Sequence, residues 1–158
     1  MPLLDPYRPT WAEIDLAALS ANLGAIRRRV GTRPVLAVVK ANAYGHGAPA
    51  VARALEREGV ESLGVALPEE GIELRRAGVS APILVLGGFT PAQSDAVLQH
   101  RLVPAIFRPD QVEALSRAAA ARGVQAPVHL KVDTGMGRLG VPPGDVPAFA
   151  SILARSPS

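Results

Sequence analysis

Two lysines mark the positions in this sequence where amine chemistry is expected. The chain contains 17 basic residues, of which only Lys40 and Lys131 are lysines and the other 15 are arginines. A lysine amine can form a Schiff base, whereas a guanidinium does not usefully deprotonate. Because arginine supplies the positive charge at the other 15 positions, we interpret the two lysines as positions where a reactive amine is required. The alternative is that each is only a solvated residue at the end of a strand.

Lys40 follows a run of apolar, partly β-branched residues at 35–39. Such a run predicts a strand buried on both faces of a parallel sheet. Gly45 and Gly47 mark a turn after it, and a helix is predicted to begin near Ala48 or Pro49. Enzymes built on parallel sheets keep their chemistry at the carboxyl ends of the strands, and apolar surroundings there favour a neutral, nucleophilic amine.

Lys131 belongs to a similar stretch, in which a strand over 127–132 ends in a glycine-rich turn. The turn contains Asp133, Thr134 and Arg138, which a barrel would place on the same rim as Lys40. Arg138 could bind a carboxylate or stabilise an anion; alternatively, it could tie down the loop through Asp133. The glycine spacing matches neither a P-loop nor a dinucleotide fingerprint, so these glycines are interpreted as backbone hinges.

The elements that position these residues alternate between strands and helices, which predicts βα units around a parallel sheet. We expect one α/β domain, a partial (β/α)8 barrel with about five of the eight barrel strands, plus an extra N-terminal strand and helix. Strands are predicted over 11–15, 35–39, 62–66, 82–86, 102–107 and 127–132, and helices over 16–30, 49–58, 68–77, 91–100, 110–122 and 146–153.

Composition argues against several classes of function. The net charge of +3 comes from scattered arginines, and only 4% of residues are aromatic, which disfavours nucleic-acid binding. No apolar run approaches the roughly 20 residues of a membrane span, and residues 1–10 do not resemble a signal peptide. The absence of cysteine excludes disulfides and thiolate metal sites and fits a cytoplasmic protein. No metal site is expected.

Two long motifs, Val38–Gly47 and Leu130–Gly140, carry a family resemblance, and Trp11–Leu16 supports it. The chain resembles the N-terminal region of alanine racemases, which are pyridoxal-phosphate enzymes of the type III fold. The resemblance implies an amino-acid racemase, an isomerase that interconverts L- and D-alanine in the cytoplasm and supplies D-alanine for cell-wall peptidoglycan. It extends over essentially the whole chain, in the same order.

The resemblance also implies roles for four residues. Lys40 resembles the lysine that holds pyridoxal 5'-phosphate as a Schiff base and moves the α-proton on one face of the substrate. Tyr44 matches a tyrosine whose hydroxyl reaches the cofactor phosphate; alternatively, it is a half-buried aromatic at the barrel mouth. Arg138 matches the arginine near the phenolic oxygen of the cofactor and the substrate carboxylate. Lys131 matches a lysine that is often carbamylated and then orients that arginine.

Neither histidine within the two motifs is assigned a catalytic role. His46 is interpreted as a packed or hydrogen-bonded histidine of the turn. His129 is predicted to be a core or helix-facing residue.

The length of the chain differs from the family pattern, because a complete barrel needs eight strands and usually about 250 residues. We therefore expect residues 1–158 to be an incomplete N-terminal barrel domain, without the remaining strands and the C-terminal β domain. The complete protein is expected to be a homodimer whose partner contributes the tyrosine that serves the opposite face of alanine. The chain alone is expected to be marginally stable, prone to association and weakly active or inactive.

Two other functions are considered beside that of a racemase. One is a non-catalytic, single-domain protein that carries pyridoxal phosphate, but such proteins lack the continuation at 42–47 that this chain has. The other is an interaction fragment that pairs with a full-length subunit.

Overall fold

The structure is a computed structural model that describes residues 11–156. Its strands are β1 (Leu36–Val38), β2 (Ser62–Val65), β3 (Ile83–Val85), β4 (Val103–Ile106) and β5 (His129–Leu130). The helical segments are α1 (Leu16–Val30), α2 (Lys40–Tyr44), α3 (Ala48–Arg57), α4 (Pro68–Arg76), α5 (Ser94–Gln99), α6 (Pro109–Arg122) and α7 (Val146–Ala154). Short 3-10 turns at Pro91–Gln93 and Pro143–Asp145 precede α5 and α7.

The five strands form one parallel sheet in the order β1-β2-β3-β4-β5, and each adjacent pair is connected through at least one helix. This is the arrangement of part of a singly wound α/β barrel, which confirms the predicted fold class. β1 and β5 each have one neighbouring strand among the described residues. All carboxyl ends of the strands therefore meet at one edge, where Lys40 and Lys131 follow β1 and β5.

The N-terminal segment is predicted in part. Asp15 caps α1, because its Oδ1 atom accepts hydrogen bonds from the N–H groups of Ala17 at 2.8 Å and Ala18 at 3.0 Å. The predicted strand over 11–15 is wrong, since these residues pair with none of the five strands described, and Trp11 is 69% exposed. A short segment becomes a strand only when another strand supplies hydrogen-bond partners.

The core lies between the sheet and its helices. The helix-facing side chains of the central strands are completely buried, and each contributes about 1.5–3 kcal/mol through burial; they are Leu63, Val65, Ile83, Val85 and Ile106. The opposite, inner face is more open, as Leu36 and Val38 are each 37% exposed. Gly64 makes room on that face, because a Cβ there would lie 2.8 Å from the side chain of Leu36.

Arg75 of α4 joins the amino ends of β3 and β4. It therefore lies at the amino edge of the sheet, whereas Lys40 lies at the carboxyl edge. Its guanidinium donates hydrogen bonds to the carbonyl oxygens of Val79 and Ala81 at 2.8 Å, His100 at 3.0 Å and Arg101 at 3.2 Å. Burial, together with the charge of Arg101, lowers the pKa of Arg75 below its ordinary value. This arginine is therefore a structural residue rather than a candidate for binding a ligand.

Glu56 of α3 gives the fold a pH dependence. Its Oε1 atom accepts hydrogen bonds from the N–H groups of Ser80 and Ala81 and from the Ser80 hydroxyl, at 2.7–2.8 Å. Burial raises the pKa of Glu56, but these hydrogen bonds and the charge of Arg75 outweigh burial and hold the pKa below its usual 4.5. A carboxyl group with a lowered pKa stabilises the folded state above its unfolded pKa and loses this contribution as the pH falls through the folded value.

We therefore expect Glu56→Gln to lower the free energy of unfolding at pH 7, and we expect the difference from the parent chain to shrink well below pH 4.5. Urea unfolding at pH 7 and pH 3 measures this difference. Glu58→Gln is the matched control, since Glu58 is exposed at the end of the same helix. A deficit for Glu56→Gln that is equally large at both pH values would contradict the assignment.

Residues 11–156 contain neither a membrane-spanning helix nor a cluster of metal ligands. None of their helices combines the length and apolar character needed to cross a membrane. They also contain no group of three or more His, Asp or Glu side chains that could hold a metal ion. The prediction that residues 1–10 contain no signal peptide lies outside the described residues.

Candidate active site

The segment after β1 is a single left-handed turn. In α2 the backbone angles φ and ψ are 51° and 52° at Ala41, 54° and 44° at Asn42, and 52° and 46° at Ala43, and φ is 54° at Tyr44. Left-handed helical conformation costs an L-residue roughly 1–2 kcal/mol. Four such residues in succession persist only if their surroundings hold them, and strain of this kind clusters at functional sites. Lys40 begins this turn.

Contacts on both sides hold α2 in place. The N–H of Ala41 donates a hydrogen bond of 2.7 Å to Oε1 of Glu70, which lies on α4. Asn42 accepts a hydrogen bond of 2.8 Å from the N–H of Ala48 through its side-chain oxygen and thereby caps the start of α3. The side chain of Ala43 is buried in the core. The turn is thus fixed to two neighbouring helices.

Lys40 and Tyr44 lie together at the carboxyl edge. Lys40 is half-buried, and its Nζ atom lies 6.0 Å from the centre of the Tyr44 ring. Tyr44 is 60% exposed, so it is not the half-buried aromatic of the alternative interpretation. A cavity of about 450 Å³ lies between α1 and α2, and its lining includes Tyr44 but not Lys40. The cavity is therefore not the place where the predicted site residues converge, and we assign no ligand to it.

Lys131 joins β5 to the loop that follows β3. Its N–H donates to the carbonyl oxygen of Ile106 at 2.9 Å, and its Nζ atom donates to the carbonyl oxygen of Leu86 at 3.2 Å. Leu130 packs against the core, so the next side chain along the strand points to the inner face. The lysine side chain thus extends past the end of β4, as the curvature of a barrel allows.

The loop that carries Arg138 is organised by Asp133. The Oδ1 atom of Asp133 accepts hydrogen bonds from the N–H groups of Gly135 at 3.0 Å and Gly137 at 3.1 Å. These hydrogen bonds hold the pKa of Asp133 below its ordinary value. Arg138 is exposed, and the salt bridges found in the described chain do not include it. Among residues 11–156 no salt bridge joins the Arg138 side chain to Asp133, and backbone N–H groups, including that of Arg138, bind this carboxylate instead.

The structure confirms the predicted environment of His46 but not that of His129. Nδ1 of His46 lies 2.8 Å from the carbonyl oxygen of Ala43, which confirms a hydrogen-bonded histidine of the turn. His129 is exposed, so its assignment to the core or to a helix-facing position is wrong. The physical reason is the period of a strand: positions 129 and 131 are two apart and share the inner face.

The structure places Lys40, Lys131 and the Arg138 loop at the same edge of the sheet. Three strands, β2 to β4, lie between the two lysines. The roles assigned to Lys40, Tyr44, Lys131 and Arg138 remain predictions. The sequence does not single out Glu70 as a site residue: an acidic residue at the third position of α4 predicts a helix cap, but nothing in the local sequence indicates its hydrogen bond to Ala41.

The fold and the position of Lys40 define a class, that of α/β-barrel enzyme domains with an amine at the carboxyl edge of the sheet. The sequence then identifies the family. The family model described as alanine racemase, N-terminal domain, matches residues 14–158, and the chain belongs to this family. Members of the family are pyridoxal-phosphate-dependent racemases.

Comparisons with individual proteins agree with the family. The chain is 52% identical over 152 residues to an alanine racemase of Symbiobacterium thermophilum, an alignment that covers 96% of this chain and 40% of that protein. It is similar to the solved alanine racemase of Clostridium difficile 630, with a TM-score of 0.87 at 36% identity over 92% of this chain and 39% of the other. A solved histidine racemase of Leuconostoc mesenteroides subsp. sake gives a TM-score of 0.86 at 29% identity over 96% and 41% of the two chains. The chain thus spans about 40% of the length of the relatives it matches.

Proposed function

We propose that the chain provides the cofactor-binding part of an alanine racemase, in which pyridoxal phosphate is attached to the amine of Lys40. The observation that carries the proposal is a lysine on a strained, tightly held turn at the carboxyl edge of the sheet. Membership of the alanine racemase family supports the reaction, and 52% identity to a racemase named for alanine supports the substrate.

The side chains at this edge fit such a cofactor. Lys40 supplies the amine for its aldehyde, and the exposed Tyr44, whose ring lies 6.0 Å from that amine, supplies a hydroxyl for the phosphate. Arg138 has a guanidinium free of salt bridges in the described chain, and it would bind the phenolic oxygen and the substrate carboxylate. When bound, the cofactor supplies a conjugated ring that accepts the negative charge left by the departing α-proton.

Lys40 has a second role in this proposal, that of general acid and base. Once the amino group of the substrate has displaced Lys40 from the cofactor, the freed lysine amine would take the α-proton from one face of the substrate and return a proton to that same face. A single lysine reaches only one face, so inversion needs another acid and base on the opposite side. We propose a homodimer in which the partner subunit supplies this group, as the family resemblance implies.

Lys131 is proposed to act through Arg138. Carbamylation would turn its amine into an anion, which would orient the guanidinium of Arg138 by a charge-assisted hydrogen bond. The position of Lys131 on the inner face, with Nζ near the Leu86 carbonyl oxygen, supports a side chain that reaches across the barrel mouth.

The substrate and the setting of the reaction are further parts of the proposal. We infer that the racemase acts on alanine in the cytoplasm and supplies D-alanine for peptidoglycan. The similarity to a histidine racemase favours a second candidate, a racemase for a larger amino acid. A non-catalytic carrier of pyridoxal phosphate is the third candidate. Asn42 argues against it, because its side chain links α2 to α3 within the motif that such carriers lack.

Deuterium exchange tests these candidates. The chain is incubated with pyridoxal phosphate and either L- or D-alanine in D2O, and the α-deuterium content of each enantiomer is followed by chiral chromatography with mass spectrometry. We expect exchange faster than with free pyridoxal phosphate, and faster for one enantiomer than the other, because Lys40 serves one face. Histidine that exchanges faster than alanine would favour the second candidate. A chain that takes up the cofactor at Lys40 but exchanges no amino acid faster than the free cofactor would contradict the acid–base role proposed for Lys40 in this chain.

A further inference from the structure

Two helices, α4 and α6, and the 3-10 turn before α5 begin at the carboxyl edge with the same hydrogen-bonding arrangement. The third residue of each carries a side-chain oxygen that accepts the N–H of the residue before the helix, and these residues are Glu70, Gln93 and Gln111. Each also uses its second polar atom to contact the preceding βα unit. Glu70 reaches Ala41 at 2.7 Å, Gln93 reaches Glu69 at 2.6 Å, and Gln111 reaches Phe89 at 2.9 Å. These capping residues thus connect neighbouring loops along the edge.

At each of these three positions, the choice between Glu and Gln matches the hydrogen-bond partner in the preceding βα unit. Gln93 and Gln111 meet oxygen atoms, to which their amide nitrogens donate. Glu70 meets N–H groups on both sides: its Oε2 atom accepts from Ala66 at 2.6 Å and Leu67 at 3.0 Å, and its Oε1 atom accepts from Ala41. Only a carboxylate offers an acceptor on both sides, whereas an amide offers one acceptor and one donor.

The group that Glu70 holds is the first left-handed residue after Lys40. Ala41 has φ of 51°, a conformation that alanine does not favour by itself. A carboxylate that accepts a backbone N–H makes a charge-assisted hydrogen bond, which is stronger than one between neutral groups. The hydrogen bond from Ala41 to Glu70 therefore stabilises the left-handed conformation of the residue that follows Lys40.

We propose that Glu70 is a positioning residue for Lys40: it holds α2 in the left-handed conformation through Ala41 and so fixes where the lysine leaves the sheet. The proposal rests on the proposed function only in giving Lys40 the cofactor. The conformational part concerns the chain by itself.

Glu70→Gln separates the two contacts of the carboxylate. Its amide oxygen can still accept from Ala66 and Leu67 and cap α4, as Gln111 caps α6, but its amide nitrogen would face the N–H of Ala41. Glu73→Gln is the matched control, because Glu73 is an exposed residue of the same helix and the change in charge is identical.

Hydrogen exchange of the cofactor-free chain, resolved to residues 40–46 and 68–76, is the first measurement. We expect amides at 40–46 to exchange about ten- to a hundredfold faster in Glu70→Gln, with exchange in α4 unchanged and the control equal to the parent chain. The second measurement is the fraction of Lys40 labelled by pyridoxal phosphate and borohydride below saturation. We expect it to fall several-fold in Glu70→Gln only.

Each other outcome has a definite meaning. Unchanged exchange at 40–46 overturns the proposal, and so does equal acceleration in α4 or failure of Glu70→Gln to fold, because either shows a general structural role. If exchange at 40–46 rises but no lysine of the parent chain takes up the cofactor, the proposed function fails while the hold of Glu70 on α2 stands. Faster exchange with unchanged labelling of Lys40 overturns the positioning role.

Discussion

Replacing Lys40 by arginine is expected to abolish covalent uptake of pyridoxal phosphate. The substitution keeps the positive charge and most of the side-chain length, but a guanidinium does not condense with an aldehyde under ordinary conditions. The measurement is borohydride reduction of the chain with the cofactor, followed by peptide mapping of the labelled residue. Because the chain has only two lysines, the parent label is expected on the peptide containing Lys40, and that label disappears in Lys40→Arg.

Lys131→Arg is the matched control, since it makes the same chemical change at the other lysine. At saturating cofactor we expect the label to remain on Lys40 in this variant, because the Lys131 amine is bound to the Leu86 carbonyl oxygen and three strands separate it from α2. A label found mainly on Lys131, or a parent chain in which neither lysine is labelled, would overturn the assignment of the cofactor to Lys40. A label at the N-terminal amine would map to a different peptide and would not be confused with either.

Most of the fold can be predicted from the sequence because each element carries its own local signal. The apolar stripe of α1 lies between a capping Asp15 and a terminating Gly31, and the structure has both boundaries. The strand at 102–107 forms in spite of Pro104, which is buried in β4 opposite Val85. The strand at 11–15 fails because pairing depends on a partner that local pattern does not reveal.

For the site, the sequence predicts which residues lie at the carboxyl edge of the sheet, but it does not predict the backbone conformation there. Parallel strands end together, so the sequence places Lys40, Lys131 and the Arg138 loop correctly on one side of the sheet. It does not predict a left-handed α2, because neither alanine nor tyrosine favours positive φ. That conformation depends on tertiary contacts such as the hydrogen bond between Ala41 and Glu70, which lie 29 positions apart.

Gly140 is the residue on which the shape of the Arg138 loop most depends. The loop closes through two hydrogen bonds, from the N–H of Val141 to the Lys131 carbonyl oxygen at 2.9 Å and from the N–H of Asp133 to the Val141 carbonyl oxygen at 3.0 Å. A Cβ at Gly140 would overlap the Asp133 nitrogen and would lie 2.8 Å from the carbonyl carbon of Val132. Both are backbone atoms, so no side-chain rotation relieves the clash. The φ of Gly140, 134°, is also unfavourable for any other residue.

We therefore expect Gly140→Ala to lower the free energy of unfolding by about 3–5 kcal/mol, as strain and steric clash add. Gly135→Ala is the matched control: its φ is also 134°, but nothing lies within 4 Å of the added Cβ, so only the strain of about 1–3 kcal/mol applies. Urea unfolding measures both, and hydrogen exchange at 131–141 reports whether the two closing hydrogen bonds have opened. In the opened loop Arg138 would lose its position relative to Lys131, so cofactor uptake at Lys40 should weaken even in chains that remain folded. Equal losses of stability in the two variants would show that the loop relaxes around the new methyl group, and the close approach of Gly140 to Asp133 would then not determine where Arg138 lies.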